Sequence, residues 1–138
     1  MQNVSKQPNP CPLVIVVDDD SGVRNSLKFS LKVEGFAVRA YGCAGDLLDS
    51  LDPLECACFV IDQNMPGMKG LDLIAKLRER RISTPAILIT GDPSAAVIDR
   101  AKRADIRIVE KPFLTPALLD GIRAACLQTR VPALSRTG

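Results

Sequence analysis

Apolar and polar positions fall into alternating blocks along the chain. Leu13-Val14-Ile15-Val16-Val17 is five apolar, mostly β-branched residues in a row, the pattern of a strand covered on both faces of a parallel sheet. It runs directly into Asp18-Asp19-Asp20. From Ser21, a plausible N-cap, Val23, Leu27 and Leu31 recur at helical spacing until Gly35 stops the helix. Phe36 to Ala40 alternates as a second strand, and Ala44 to Leu51 makes a short helix. Phe59-Val60-Ile61 is a third apolar run that ends in Asp62 and turns on Pro66 and Gly67. A helix from about Leu71 to Arg80 follows, with Leu73, Ile74 and Leu77 on one face. Ala86 to Ile89 predicts a fourth strand, Ala95 to Ala104 a helix, and Ile106 to Val109 a last short strand. Thr115 and Pro116 open a final helix whose stripe is Leu118, Leu119, Ile122, Ala125 and Cys126.

Strands alternating with helices in this way predict an α/β fold, a doubly wound parallel five-stranded sheet covered on both faces. With the flavodoxin-like (βα)5 order 2-1-3-4-5, the crevice lies at the carboxyl ends of the strands, between the first and third. Residues 1–12 read as a loose lead-in, 13–127 as the domain, and 128–138 as a C-terminal tail without an output domain. The 138 residues, 46% hydrophobic and 25% charged, suit one domain with a real core.

Composition removes several kinds of chemistry. Histidine is absent, which excludes Ser-His-Asp and Cys-His catalysis, His-ligated metal and a phosphohistidine of the chain's own. Cys11, Cys43, Cys56, Cys58 and Cys126 are an odd number scattered through apolar segments, as expected of free thiols in a reducing compartment. Cys56-Ala57-Cys58 has the wrong spacing for a zinc knuckle. No apolar run approaches the roughly 20 residues of a membrane span, and the N-terminus has no signal-peptide core, so a soluble cytoplasmic protein is expected. A formal net charge of +2 makes no case for nucleic acid.

The fold places one group of residues together. Asp18 and Asp19, Asp62, Thr90 and Lys111 each sit within two residues of the end of a different strand, so all should meet on one rim. Taken alone, Asp62 could merely cap a turn. In company, carboxylates repel, by about 4 kcal/mol for two unit charges about 4 Å apart at a surface-like dielectric, and must share protons or bind a cation. Oxygen donors alone suit a hard cation, and Mg²⁺ in particular where a phosphate and water complete the shell. Thr90 and Lys111 would donate to phosphate oxygens, and Asp62 would be the nucleophile that accepts the phosphoryl group. Asp20 fits a helix cap better than a metal ligand.

Four stretches in order, Val-Val-Asp18-Asp19, Asp62-Gln-Asn-Met-Pro-Gly-Met-Lys-Gly70, Ile-Thr90-Gly91 and Glu-Lys111-Pro112-Phe113, make the chain resemble the receiver domains of two-component response regulators, the FixJ type in particular. The resemblance implies a signalling receiver rather than a turnover enzyme. It implies that Asp62 is the phosphoacceptor, that Asp19 ligates Mg²⁺ directly and Asp18 through water, and that Asn64 ligates through its backbone carbonyl. Thr90 would be the mobile hydroxyl and Lys111 the phosphate-contacting lysine, joined to Pro112 by a cis peptide. The implied partners are a sensor histidine kinase or a histidine phosphotransfer protein and a downstream protein, with the chain a monomer or a phosphorylation-dependent homodimer and no direct nucleic-acid contact. Three features depart from the family pattern, one of them a segment between Thr90 and Lys111 that is one residue short. Ile108 stands where receivers carry a switching Tyr or Phe, and Ala104 where a glycine commonly ends the fourth helix.

Two other readings use the same residues. Asp18-Asp19-Asp20 after a strand also resembles the nucleophile motif of haloacid-dehalogenase-type phosphatases, with Asp18 as nucleophile and Asp20 as general acid, but only Asp120 remains for that family's later acidic motif. A pseudo-receiver, a binding module that keeps the fold without using phosphate, is favoured by Ile108 and opposed by the complete set of acids, Thr90 and Lys111.

Overall fold

The computed structural model describes residues 12–50, 56–110 and 116–137, with side chains described through Leu127. The expected lead-in up to Cys11, and the segment 111–115 that includes Lys111 and its peptide bond to Pro112, lie outside the described residues. The elements run β1 (Leu13–Val17), α1 (Ser21–Val33), β2 (Ala37–Tyr41), α2 (Ala44–Ser50), β3 (Cys58–Asp62), α3 (Gly70–Glu79), β4 (Ala86–Thr90), α4 (Ala95–Arg103), β5 (Arg107–Glu110) and α5 (Pro116–Thr137).

The strands form one parallel sheet, as the alternation predicts, and their order is β2-β1-β3-β4-β5, the doubly wound order expected. Val17 pairs with Tyr41 and Ile61, and Asp62 with Ile89, which brings the carboxyl ends of the inner strands level. Strands β3 and β4 are buried at every position, and β1 at all but its first, so they carry unbroken apolar runs. The edge strands β2 and β5 are only partly covered. Alternate residues build the two halves of the core. Ile15, Val17, Phe59, Ile61 and Leu88 face α2, α3 and α4 through Leu47, Leu73, Leu77 and Ala101. Val14, Val16, Val60, Ile87 and Ile89 face α1 and α5 through Leu27, Leu31, Leu118 and Ile122.

Both edge strands begin one residue later than their apolar runs suggest, for a shared reason. Phe36 and Ile106 are used to close the preceding helix, donating their N–H groups to Leu31 at 3.0 Å and Ala101 at 2.8 Å. Ile82 does the same to Leu77 at 2.9 Å after α3. In each case a left-handed residue precedes the closing one: Gly35 at φ 99°, Arg81 at φ 65° and Asp105 at φ 59°. The turn after α4 is therefore made by Asp105, a residue type that tolerates this conformation, and Ala104 caps the helix with an ordinary φ of −92°. After α3 the guanidinium of Arg78 donates to the carbonyls of Ile82 and Thr84, at 2.8 and 2.9 Å.

The N-cap of α1 is Asp20, in the capping role expected of it, and Ser21 is the first helical residue; the Asp20 carboxylate accepts from the N–H groups of Gly22 and Val23. The stretch expected to be a tail continues α5 as helical backbone through Thr137. Ala133, Leu134 and Arg136 are good helix formers, and Pro132 has a helix-compatible φ at the cost of one backbone donor. None of the described helices is long and apolar enough to cross a membrane.

Candidate functional site

Three strands end at one place. Asp18, the first residue past β1, is only 2% exposed, and its N–H donates to the Tyr41 carbonyl at 3.1 Å, fastening it to the end of β2. Asp19 follows on the exposed side, and Asp62, 7% exposed, is the last residue of β3. One carboxylate oxygen from each of the three lies within 4.8 Å of the others. This is the convergence that the strand ends predict, and it gathers oxygen donors alone, the set a hard divalent cation takes.

The electrostatics follow from that crowding. Burial comes first in pushing the Asp18 carboxyl up to about 6, and the negative charges of Asp62, Asp19 and Asp20 add to it. The Asp20 N–H, which donates to Asp18 Oδ1 at 2.9 Å, opposes the rise. A divalent cation held among these acids would offset their mutual repulsion and compete with the Asp18 proton, so it would bind more tightly as pH rises through about 6.

The neighbouring groups extend the site toward β4. The Asn64 N–H donates to Asp62 Oδ1 at 3.2 Å, and its side-chain amide donates to the Thr90 hydroxyl, also at 3.2 Å. Thr90 ends β4 and is 1% exposed, so its hydroxyl is held at the rim by a side chain from the loop after β3. Lys111 would follow directly on Glu110, the last residue of β5, but lies outside the described residues. Ile108 is partly buried and packs on the α2–α3–α4 side of the core. Asp20 caps α1 through Oδ1, the role expected of it in place of metal binding. Asp120 lines a cavity of about 350 Å³ between α1 and α5, alongside Ser30, Leu31 and Glu34.

Two residues shape the site without a signal that strand ends provide. Gly70 begins α3 against the end of β3: a β-carbon there would fall 2.6 Å from the Asp62 carbonyl oxygen and 2.9 Å from the Gln63 α-carbon. Gln63 is buried, and its Oε1 accepts the Leu71 N–H at 2.8 Å. It serves as the cap that Lys69, at the N-cap position, has no oxygen to provide. The sequence signal for it is a polar amide right after Asp62, ahead of a helix whose N-cap position holds a lysine.

Compared with known proteins, the chain matches the response regulator receiver domain over residues 14–123. It belongs to that family. Among its relatives is the transcriptional regulatory protein FixJ of Azorhizobium caulinodans, 36% identical over 113 residues that cover 81% of this chain and 54% of that protein. Nodulation protein W of Bradyrhizobium diazoefficiens is 36% identical over 119 residues, covering 86% of this chain and 52% of that one. The chain thus spans about half the length of these curated relatives. Among solved structures, the response regulator StyR superposes with a TM-score of 0.83 at 34% identity, covering 92% of this chain and 65% of that one. The receiver of a two-component response regulator is a signalling module, and the flavodoxin-like order of its five strands is the order found here.

Proposed function

We propose that this receiver takes a phosphoryl group from a partner's phosphohistidine onto Asp62 and thereby changes its binding to a downstream protein. The partner is a sensor histidine kinase or a histidine phosphotransfer protein, because the chain has no histidine of its own. The observation that supports this reading is the meeting of the Asp18, Asp19 and Asp62 oxygens within 4.8 Å at the carboxyl ends of the strands. Asp18, Asp19, Asp62 and the Asn64 carbonyl would hold Mg²⁺, which supplies the positive charge that lets a phosphoryl group approach three acids. Asp62 attacks phosphorus as a carboxylate, the P–N bond to the donor imidazole breaks, and a P–O bond to Asp62 forms. Thr90 and Lys111 donate to the phosphoryl oxygens, drawing Thr90 away from Asn64. That movement at the end of β4 is passed to the neighbouring α4, β5 and α5, the face through which a partner or a second copy is engaged.

The test is incubation with Mg²⁺ and a small phosphodonor such as acetyl phosphate, followed by peptide mapping. Phosphate on Asp62, abolished by Asp62→Asn and by chelation of Mg²⁺, is expected. Phosphate on Asp18 would replace this reading with a hydrolase, and no uptake would leave a phosphate-independent binding module.

A further inference from the structure

Mg²⁺ binding at these acids needs Asp18 and Asp19 turned toward Asp62 against their own repulsion, which raises the question of what holds the β1–α1 loop in place. Several contacts come from backbone N–H groups. The Asp18 N–H reaches the Tyr41 carbonyl, the Asp20 N–H reaches the Asp18 carboxylate, and the Arg24 N–H reaches the Asp20 carbonyl at 3.0 Å. One comes from a long side chain. Arg24, within the first turns of α1, folds back over six residues and donates from Nη1 to the Asp18 carbonyl oxygen at 2.8 Å.

Gly42 leaves room for that guanidinium, closest to the donating nitrogen itself. Gly42 follows β2, and a β-carbon there would fall 3.2 Å from Nη1, 3.6 Å from Cζ and 4.0 Å from Nη2 of Arg24. The bare α-carbon leaves the space the guanidinium fills. Arg24 is thus lodged between the ends of β1 and β2, beside the point where Asp18 is already fastened to Tyr41.

We propose that Arg24 is a positioning residue for the metal-binding loop, presenting Asp18 and Asp19 to Mg²⁺, and that Gly42 is the gap that lets it do so. The inference rests on the reading of Asp18, Asp19 and Asp62 as the Mg²⁺ site. Its physical signature is a sign. A cation near the acids repels an incoming Mg²⁺, so if Arg24 acted through charge alone, removing it would tighten Mg²⁺ binding. If it orders the ligands, removing it weakens binding, as loss of an outer partner of a metal ligand does.

The experiment is a Mg²⁺ titration of the metal-free full chain by calorimetry. It is also followed in the emission of Tyr41, the one tyrosine of a chain without tryptophan, whose carbonyl holds Asp18. Arg24→Gln is expected to weaken Mg²⁺ about tenfold. Arg24→Lys, which keeps the charge and loses the planar fork, is expected to weaken it comparably. Gly42→Ala leaves Arg24 in the chain but crowds it, and should weaken Mg²⁺ by about threefold. The double variant Gly42→Ala with Arg24→Gln should bind no more weakly than Arg24→Gln alone, because the added methyl then has no guanidinium to displace.

Unchanged or tighter binding by Arg24→Gln, or additive effects in the double variant, would overturn the proposal while leaving the Mg²⁺ site intact. Failure of the site reading looks different: the unaltered chain would bind no Mg²⁺, or would bind it as well after Asp19→Asn. Gly42→Ala, the milder change, carries the test should Arg24→Gln melt without a single cooperative transition.

Discussion

Helices α3 and α4 lie on the same face of the sheet and differ in how they are held. In ten residues α3 buries Gly70, Leu71, Leu73, Ile74 and Leu77; in nine residues α4 buries Ala101 alone. The start of α3 is also fastened to the end of β3, where the Gly70 N–H donates to the Gln63 carbonyl at 3.2 Å and the Leu71 N–H to the Gln63 side chain. Helix α4 is secured by its Ser94 cap, by the closing bond from Ile106 to Ala101 and by Arg100, which donates to the Asp72 carboxylate on α3 at 3.0 Å. Apolar burial stabilises by about 25 cal/mol per Å², so α3 is held by a large term and α4 by a few small ones. The helix that follows Asp62 is part of the rigid frame of the site, while the helix that follows Thr90 can shift at low cost.

Substitution in the two helices gives the sharpest contrast. Leu73→Ala empties a fully buried position and should cost about 3 kcal/mol of unfolding free energy, whereas Val97→Ala, at a partly covered position of α4, should cost under about 1 kcal/mol. Urea unfolding of both variants measures the difference, and equal costs would break the comparison. Gly70→Ala comes next. Its β-carbon meets the Asp62 carbonyl, Leu88 Cδ1 at 2.8 Å and the Gln63 α-carbon, and two of those are backbone atoms. A loss of about 2 kcal/mol is expected, read as a fall of roughly 8 °C in the thermal midpoint. The smallest effect belongs to Arg100→Ala. The ion pair it removes is half exposed on both sides, so global stability should move by under about 0.5 kcal/mol. Amide exchange in α4 should nevertheless quicken while that in α3 stays slow, and equal protection of the two helices in the unaltered chain would contradict the contrast.

What was legible in the sequence follows the same division. Asp18, Asp19, Asp62 and Thr90 could be read because each follows a continuous apolar run, and a doubly wound sheet sends such ends to one rim. The inner strands were readable for the same reason. Edge strands were displaced by one residue because Phe36 and Ile106 look like strand residues and are spent on closing helices. The roles of Gln63, Gly70 and Arg24 were not legible, since each depends on two segments meeting: residue 63 with 71, residue 70 with 62, residue 24 with 18 and 42. Residues 128–138 read as a tail, and the helical backbone of α5 runs through Pro132 to Thr137.

The bend between α3 and β4 has a consequence for how this chain can vary. An arginine occupies its left-handed position, where a side chain is disfavoured, and the neighbouring Arg78 grips two carbonyls of the outgoing strand. Backbone bonds from Arg81 to Arg78 and from Ile82 to Leu77 close the corner, and the Arg78 guanidinium adds to them from inside. Position 81 therefore best admits glycine or asparagine, and replacement of Arg78 removes the side chain that ties the corner to the outgoing strand.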